Sequence, residues 1–239
     1  MKNVAASINR LIRNARLRFF GDIPAFVIVL KSDKERCSHV YGNVLSKLPI
    51  CDILNATNAK KAEVDEFFRT ETIFVDNSSA DITYAKLACT ISHIRVWKAI
   101  IAQDLERAIV FEDDVEIFDG FRSFVSELQK QLPSNFDLVH LYVHHDRSEW
   151  LAHVRTTKKP YVTYIPRWGR SAYLLSRSGA KKLLLGFQTI TRPGDQQMSD
   201  MAQAGLLSVY CASESYVNNL GQLSSTYKGE RFRSNIWSE

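Results

Sequence analysis

Two short apolar runs constrain this chain more than any other feature. Residues 25–30 read AFVIVL and residues 108–111 read AIVF, with no polar side chain to turn toward water. A strand wetted on one face alternates apolar and polar residues, so an unbroken run this short implies a strand covered on both faces. Each run then stops abruptly in polar residues. Lys31-Ser32-Asp33-Lys34-Glu35-Arg36 follows the first, and Glu112-Asp113-Asp114 follows the second. The first of these turns should open a helix near Ser32 or Asp33.

The intervening sequence alternates accordingly. A second strand is expected over residues 50–54 and a short helix over 60–68. Residues 84–103 form the strongest helical pattern, with Leu87, Ile91, Ile94, Trp97 or Lys98, and Ile101 on one stripe. Phe121, Phe124, Val125, Leu128 and Leu132 trace another helix that stops at Pro133. Strands are expected over 136–143, 161–165 and 171–175, and Ser176 should cap a helix through Leu185. Strands alternating with helices predict an α/β fold around a mostly parallel sheet. At 239 residues, with no repeat, low-complexity tract or flexible linker, the pattern predicts one domain over 21–239 that loosens from about Gly221.

Charge separates a second region. Lys2, Arg10, Arg13, Arg16 and Arg18 lie in residues 1–20 without an acid, and they account for the whole net charge of +5. Ile8, Leu11, Ile12, Ala15 and Phe19 recur there at helical spacing, which describes a basic amphipathic helix. Such a helix can lie on an anionic membrane or pack on its own domain with its arginines in water. No recognition-helix, zinc-knuckle or aromatic-interleaved basic pattern points to nucleic acid. No run reaches the roughly 18–20 apolar residues that span a bilayer, and no signal-peptide pattern is present. The expected location is therefore cytoplasmic, and peripheral at the inner face of the membrane in the first of these two readings of residues 1–20. Cys37, Cys51, Cys89 and Cys211 are scattered and read as reduced thiols.

In a mostly parallel sheet, ligands gather outside the carboxyl ends of the strands. Glu112-Asp113-Asp114 belongs there. Strand alternation puts Glu112 and Asp114 on one side and Asp113 on the other. Two carboxylates on one side suit a hard divalent cation, which would keep positions open for a phosphate. The alternative is a solvated turn, its acids exposed or capping the next helix.

Residues 86–118, KLACTISHIRVWKAIIAQDLERAIVFEDDVEIF, resemble glycosyltransferase family 25, the lipooligosaccharide and procollagen galactosyltransferase-like family. The resemblance rests on Ser92-His93, Trp97 four residues on, and the strand ending in Glu112-Asp113-Asp114. It continues through DLVHL at 137–141, GRSAYLLSRSGAKKLL at 169–184 and Pro193-Gly194-Asp195. It spans roughly residues 24–225 and excludes the basic segment.

The resemblance implies a single GT-A type domain, Rossmann-like on its nucleotide side, with a C-terminal acceptor-side region. It implies a UDP-sugar donor, usually UDP-galactose, inversion at the anomeric carbon, and a bacterial lipooligosaccharide or lipopolysaccharide glycan as acceptor. Glu112 and Asp114 would hold Mn²⁺ (or Mg²⁺) on the donor diphosphate, with Asp113 supporting the ribose or the metal. Leu30, Lys31, Arg36, His93 and Gly169 would line the donor site. Asp195 is the candidate base for the acceptor hydroxyl and Asp200 its competitor; capping a helix that opens at Gln196 is the structural alternative for Asp195.

Departures from the pattern are Ala88 for a common Gly, Arg170 for a frequent Thr, and no His beyond His153 to complete a metal site. His144-His145-Asp146 reads as a surface loop. Trp97 and Trp168 read as packing, with stacking on a sugar as the alternative for Trp168. Two other readings compete: a metal-dependent phosphoryl or nucleotidyl transferase, which would want a phosphate-cradling Gly-rich loop absent here, and a catalytically silent sugar-binding module.

Overall fold

A computed structural model describes residues 23–48, 50–76, 81–143, 147–167 and 169–221. The basic segment 1–20, His144-His145-Asp146 and Trp168 lie outside the described residues.

β1 (Ala25–Val29) is buried along its whole length, as an unbroken apolar run requires. Its side chains feed two cores in alternation. Phe26 and Ile28 pack with Leu87, Ile91 and Trp97, whereas Ala25, Val27 and Val29 pack with Val40, Val44 and Leu128. After it, Asp33 caps α1 (Lys34–His39) by accepting the Arg36 N–H at 3.0 Å, and one stretch of π-helix follows at Val40–Leu45. Next come β2 (Cys51–Asn55), α2 (Lys61–Thr70), β3 (Phe74–Val75) and α3 (Tyr84–Ala102).

α3 departs from the expected single stripe. Thr90, Ser92 and His93 are buried along with its apolar residues, so the helix is packed on most of its circumference. Polar groups carried into a core in this way must find partners.

β4 (Arg107–Glu112) divides its residues between the cores as β1 does. β5 (Val115–Ile117) and α4 (Phe121–Gln131) follow, then β6 (Leu138–His140), which is shorter than expected. α5 (Arg147–Val154) is a helix that the sequence pattern does not signal. β7 (Tyr161–Val162) and β8 (Ala172–Ser176) precede α6 (Arg177–Gly186), which Ser176 caps by accepting the Gly179 N–H at 3.0 Å. The chain continues through β9 (Thr189–Ile190), α7 (Gly194–Gln203), β10 (Val209–Ala212) and β11 (Val217–Asn219).

The central sheet has the order β2-β1-β4-β8-β6-β10-β7. β2, β1, β4, β6 and β10 point one way, while β8 and β7 run against their neighbours. The α/β architecture is as expected, and five of the seven strands share one direction, while β8 and β7 make the sheet mixed. The reason is β8, which is buried on both faces and so reads the same in either direction. Its reversal matters for the site. The residues just before β8 arrive beside the carboxyl end of β4, where the Glu112 N–H donates to the Ser171 carbonyl at 2.8 Å. Among the described residues, no helix is long and apolar enough to cross a membrane.

Candidate active site

A cavity of 340 Å³ opens at the carboxyl ends of β1 and β4. Leu30 and Arg36 line it from the first strand and α1, and residues 56–59 from the turn after β2. Cys89, Ser92 and His93 come from α3, and Glu112, Asp113 and Asp114 from the end of β4.

All three carboxylates face this one cavity, so the alternating arrangement expected for them is corrected. β4 ends at Glu112, and Asp113-Asp114 form the tight turn into β5. A turn does not preserve strand alternation. Each acid instead meets a different partner: Glu112 meets α3, Asp113 forms an ion pair with Arg36, and Asp114 accepts from Asn219 Nδ2 at 3.0 Å.

Glu112 ends a buried chain of hydrogen bonds. Trp97 Nε1 donates to the Tyr173 hydroxyl at 2.9 Å, and an indole N–H can only donate. The Tyr173 hydrogen is therefore free for His93 Nδ1 at 2.8 Å, which leaves His93 Nε2–H to donate to Glu112 Oε1 at 3.1 Å. Burial and the nearby Arg170 push the His93 pKa down, so the ring is neutral in this tautomer. Burial is the largest single effect on Glu112 and opposes its ionisation, but the contact with His93, the Arg170 charge and the Cys89 hydrogen bond together outweigh it and hold the acid at about 2. His93 thus lies against the cavity carboxylates as a hydrogen-bond donor to Glu112.

Asp113 and Asp114 are under opposite pressure. Burial raises Asp113, and Arg36 pulls it back only in part. Burial together with Glu112 and Asp113 pushes Asp114 up to about 7. The cavity thus holds more negative charge than Arg36 offsets, on oxygen donors alone. That donor set fits a hard divalent cation.

Cys89, His93 and Glu112 also place ligand-type atoms within 4.8 Å of one another. Hydrogen bonding already accounts for them. His93 Nε2–H points at Glu112, Cys89 Sγ donates to Glu112 Oε1 at 3.5 Å, and Arg170 Nη2 donates to Cys89 Sγ at 3.3 Å. Burial raises the Cys89 thiol and keeps it protonated, and a guanidinium alongside disfavours a cation. The cluster is a hydrogen-bonded wall.

The remaining candidates scatter. Lys31 is exposed, and its backbone N–H donates to Asn55 Oδ1 at 3.1 Å. Gly169 takes a positive φ of 98°, a conformation that favours glycine, and donates its N–H to Asp195 Oδ2 at 3.1 Å. Asp195 lies in the first turn of α7, whose N-cap is Pro193, so it does not cap a helix opening at Gln196. Asp200 is half-exposed and pairs with Arg192 at 3.3 Å.

Three buried groups here carry no sequence signal of their own. Arg170, 7% exposed, packs so closely on α7 that a Cβ at Gly194 would stand 2.2 Å from its Nη1. His140, at the end of β6, is lowered to about 4 by burial, with Asp195 opposing. Asn219 reaches Asp114 from β11.

The profile of glycosyltransferase family 25 (LPS biosynthesis protein) matches residues 22–198. The chain belongs to glycosyltransferase family 25. The rat (Rattus norvegicus) probable inactive glycosyltransferase 25 family member 3 is 32% identical over 110 residues, 45% of this chain and 19% of that protein. Mouse (Mus musculus) procollagen galactosyltransferase 2 is 29% identical over 114 residues, 45% of this chain and 18% of that protein. The lacto-N-neotetraose biosynthesis glycosyltransferase LgtB of Neisseria meningitidis serogroup B is 28% identical over 116 residues, 45% of this chain and 42% of that protein. The chain therefore matches about a fifth of the vertebrate relatives and under half of the bacterial one.

Proposed function

We propose that this protein is an inverting glycosyltransferase of GT-A type, moving galactose from UDP-galactose to a lipooligosaccharide or lipopolysaccharide glycan. The observation that carries the reading is the convergence of Glu112, Asp113 and Asp114 on one cavity in a chain of this family. The bacterial acceptor is supported by the likeness to LgtB.

In this reading the cavity takes the nucleotide diphosphate, with Arg36 toward its phosphates and Leu30 and the turn after β2 toward its uridine. Glu112 and Asp114 would hold Mn²⁺ (or Mg²⁺), whose chemistry is to stabilise charge developing on the leaving diphosphate. His93 keeps Glu112 ionised and fixed in orientation. Asp195, oriented by the Gly169 N–H, takes the proton of the acceptor hydroxyl as that oxygen attacks the anomeric carbon from the face opposite the leaving UDP. Asp200, engaged with Arg192 on the outside of α7, is the weaker candidate for this role.

A second reading, a nucleotide-sugar binder without turnover, is favoured by the family members named as inactive among the relatives. Incubating the purified protein with a panel of nucleotide-sugars, Mn²⁺ and a lipooligosaccharide acceptor separates the two. Release of UDP from UDP-galactose with a β-configured product is the expected result. UDP binding with no nucleotide-sugar consumed would establish the silent module instead.

A further inference from the structure

Asp114 is gripped by the last described strand. Asn219, 2% exposed, donates through Nδ2 to Asp114 Oδ1 at 3.0 Å and to Ser171 Oγ at 2.6 Å. An ionised carboxylate oxygen can only accept, so these bonds fix which end of the amide faces Asp114. The Leu220 N–H adds a bond to the Asp114 backbone carbonyl at 2.7 Å.

The grip distinguishes the two oxygens of Asp114. Oδ1 is committed to the protein, and Oδ2 carries no hydrogen bond among the described residues. Gly221 stands next to Oδ2. A Cβ there would lie 2.6 Å from Asp114 Oδ2 and 3.3 Å from Asn219 Oδ1, and the first of these separations is too short for any real contact. Asn219 Oδ1 is itself buried without a hydrogen-bond partner. A side chain at position 221 would thus press on both Asp114 Oδ2 and the partnerless Asn219 Oδ1, and only glycine avoids displacing them. Buried acceptors without donors are rare, and a hard cation is the kind of group that oxygens of this type serve.

We propose that Asn219 and Gly221 are positioning residues of the cation site, holding Asp114 so that Oδ2 is the oxygen presented to the metal. The proposal rests on the reading that a divalent cation binds at Glu112 and Asp114. It adds β11, the last described strand, whose Asn219 is 105 residues from Asp114 in sequence, as the element that shapes the site.

The test reads Mn²⁺ binding directly, from the paramagnetic resonance signal of free Mn²⁺ titrated with the full chain and UDP. Gly221→Ala should weaken Mn²⁺ binding about tenfold or more, the usual loss when a group that orients a ligand is disturbed. Its melting temperature should change little, because the atom that must give way is the end of the Asp114 side chain rather than backbone. Asn219→Leu should show a similar loss, and Gly221→Ala still decides the matter if that variant folds poorly. Asp114→Ala separates the two levels of the account. If it loses Mn²⁺ while Gly221→Ala binds normally, the positioning role is overturned and the cation site stands. If Asp114→Ala itself binds Mn²⁺ normally, the cation site is wrong and the proposal falls with it.

Discussion

Two acids at opposite ends of the central sheet show how one residue type can serve structure or chemistry. Asp137, just before β6, is 1% exposed and saturated. Its oxygens accept from Ser178 Oγ at 2.9 Å, the Ser208 N–H at 2.9 Å and Lys182 Nζ at 2.5 Å, tying β6 to α6 and to the chain entering β10. Asp114, beyond the carboxyl end of β4, has one side-chain partner, and burial together with two anionic neighbours raises it to about 7. A saturated buried carboxylate holds the fold. An under-satisfied one facing a cavity is held by the fold for something else.

Substitutions should break the two ends differently. The largest effect is expected at Asp195. Asp195→Asn should lower kcat by roughly 10² to 10⁴, the usual contribution of a general base, with donor affinity and melting temperature preserved. Normal turnover in that variant with a dead Asp200→Asn would move the base to Asp200.

Asp114→Ala should come next, reducing turnover at least about a hundredfold while the protein melts as before. Asp137→Ala should do the reverse. It strands the Ser208 N–H and the Lys182 ammonium, so it should cost about 2–3 kcal/mol of stability while residual folded protein keeps its donor affinity. Calorimetric melting of both variants checks the pair, and equal melting losses would erase the distinction drawn between them.

The raised Asp114 also sharpens the comparison through pH. A cation binds the ionised form, and a folded-state pKa near 7 means that protons compete below that value. Mn²⁺ affinity should fall roughly tenfold per pH unit below 7 and level off above it. A flat profile from pH 6 to 8 would show that Asp114 is not the competing group.

The smallest effect concerns the basic segment. Deleting residues 1–20 should release the protein from anionic vesicles, each Lys or Arg being worth on the order of 1 kcal/mol at such a surface, and should spare turnover on a soluble acceptor. Vesicle binding that survives the deletion would remove the membrane role.

What could be read in advance follows from which interactions are local. The double-sided burial of β1 and β4, the Asp33 and Ser176 caps and the course of α3 all depend on residues within a few positions of one another. The motif around Ser92-His93 and Glu112-Asp113-Asp114 is local in the same way, and the fold brings these residues to one cavity. The direction of β8 did not show, because full burial erases the periodicity that would betray it. The turn at Asp113-Asp114 did not show either, so the acids were expected on alternating sides. Asn219 and Arg170 are single polar residues whose partners lie 105 and 81 residues away in sequence, and only the folded chain brings them together.

The central claim is that the cavity at the end of β4 binds a nucleotide diphosphate through a cation that Asp114 helps to hold. Calorimetric titration of UDP into the wild-type protein and Asp114→Ala, each with Mn²⁺ and with EDTA, tests it most directly. The account predicts tight UDP binding only for the wild type with Mn²⁺, and weak binding in the other three titrations. UDP binding of equal strength in EDTA, or in Asp114→Ala with Mn²⁺, would contradict it.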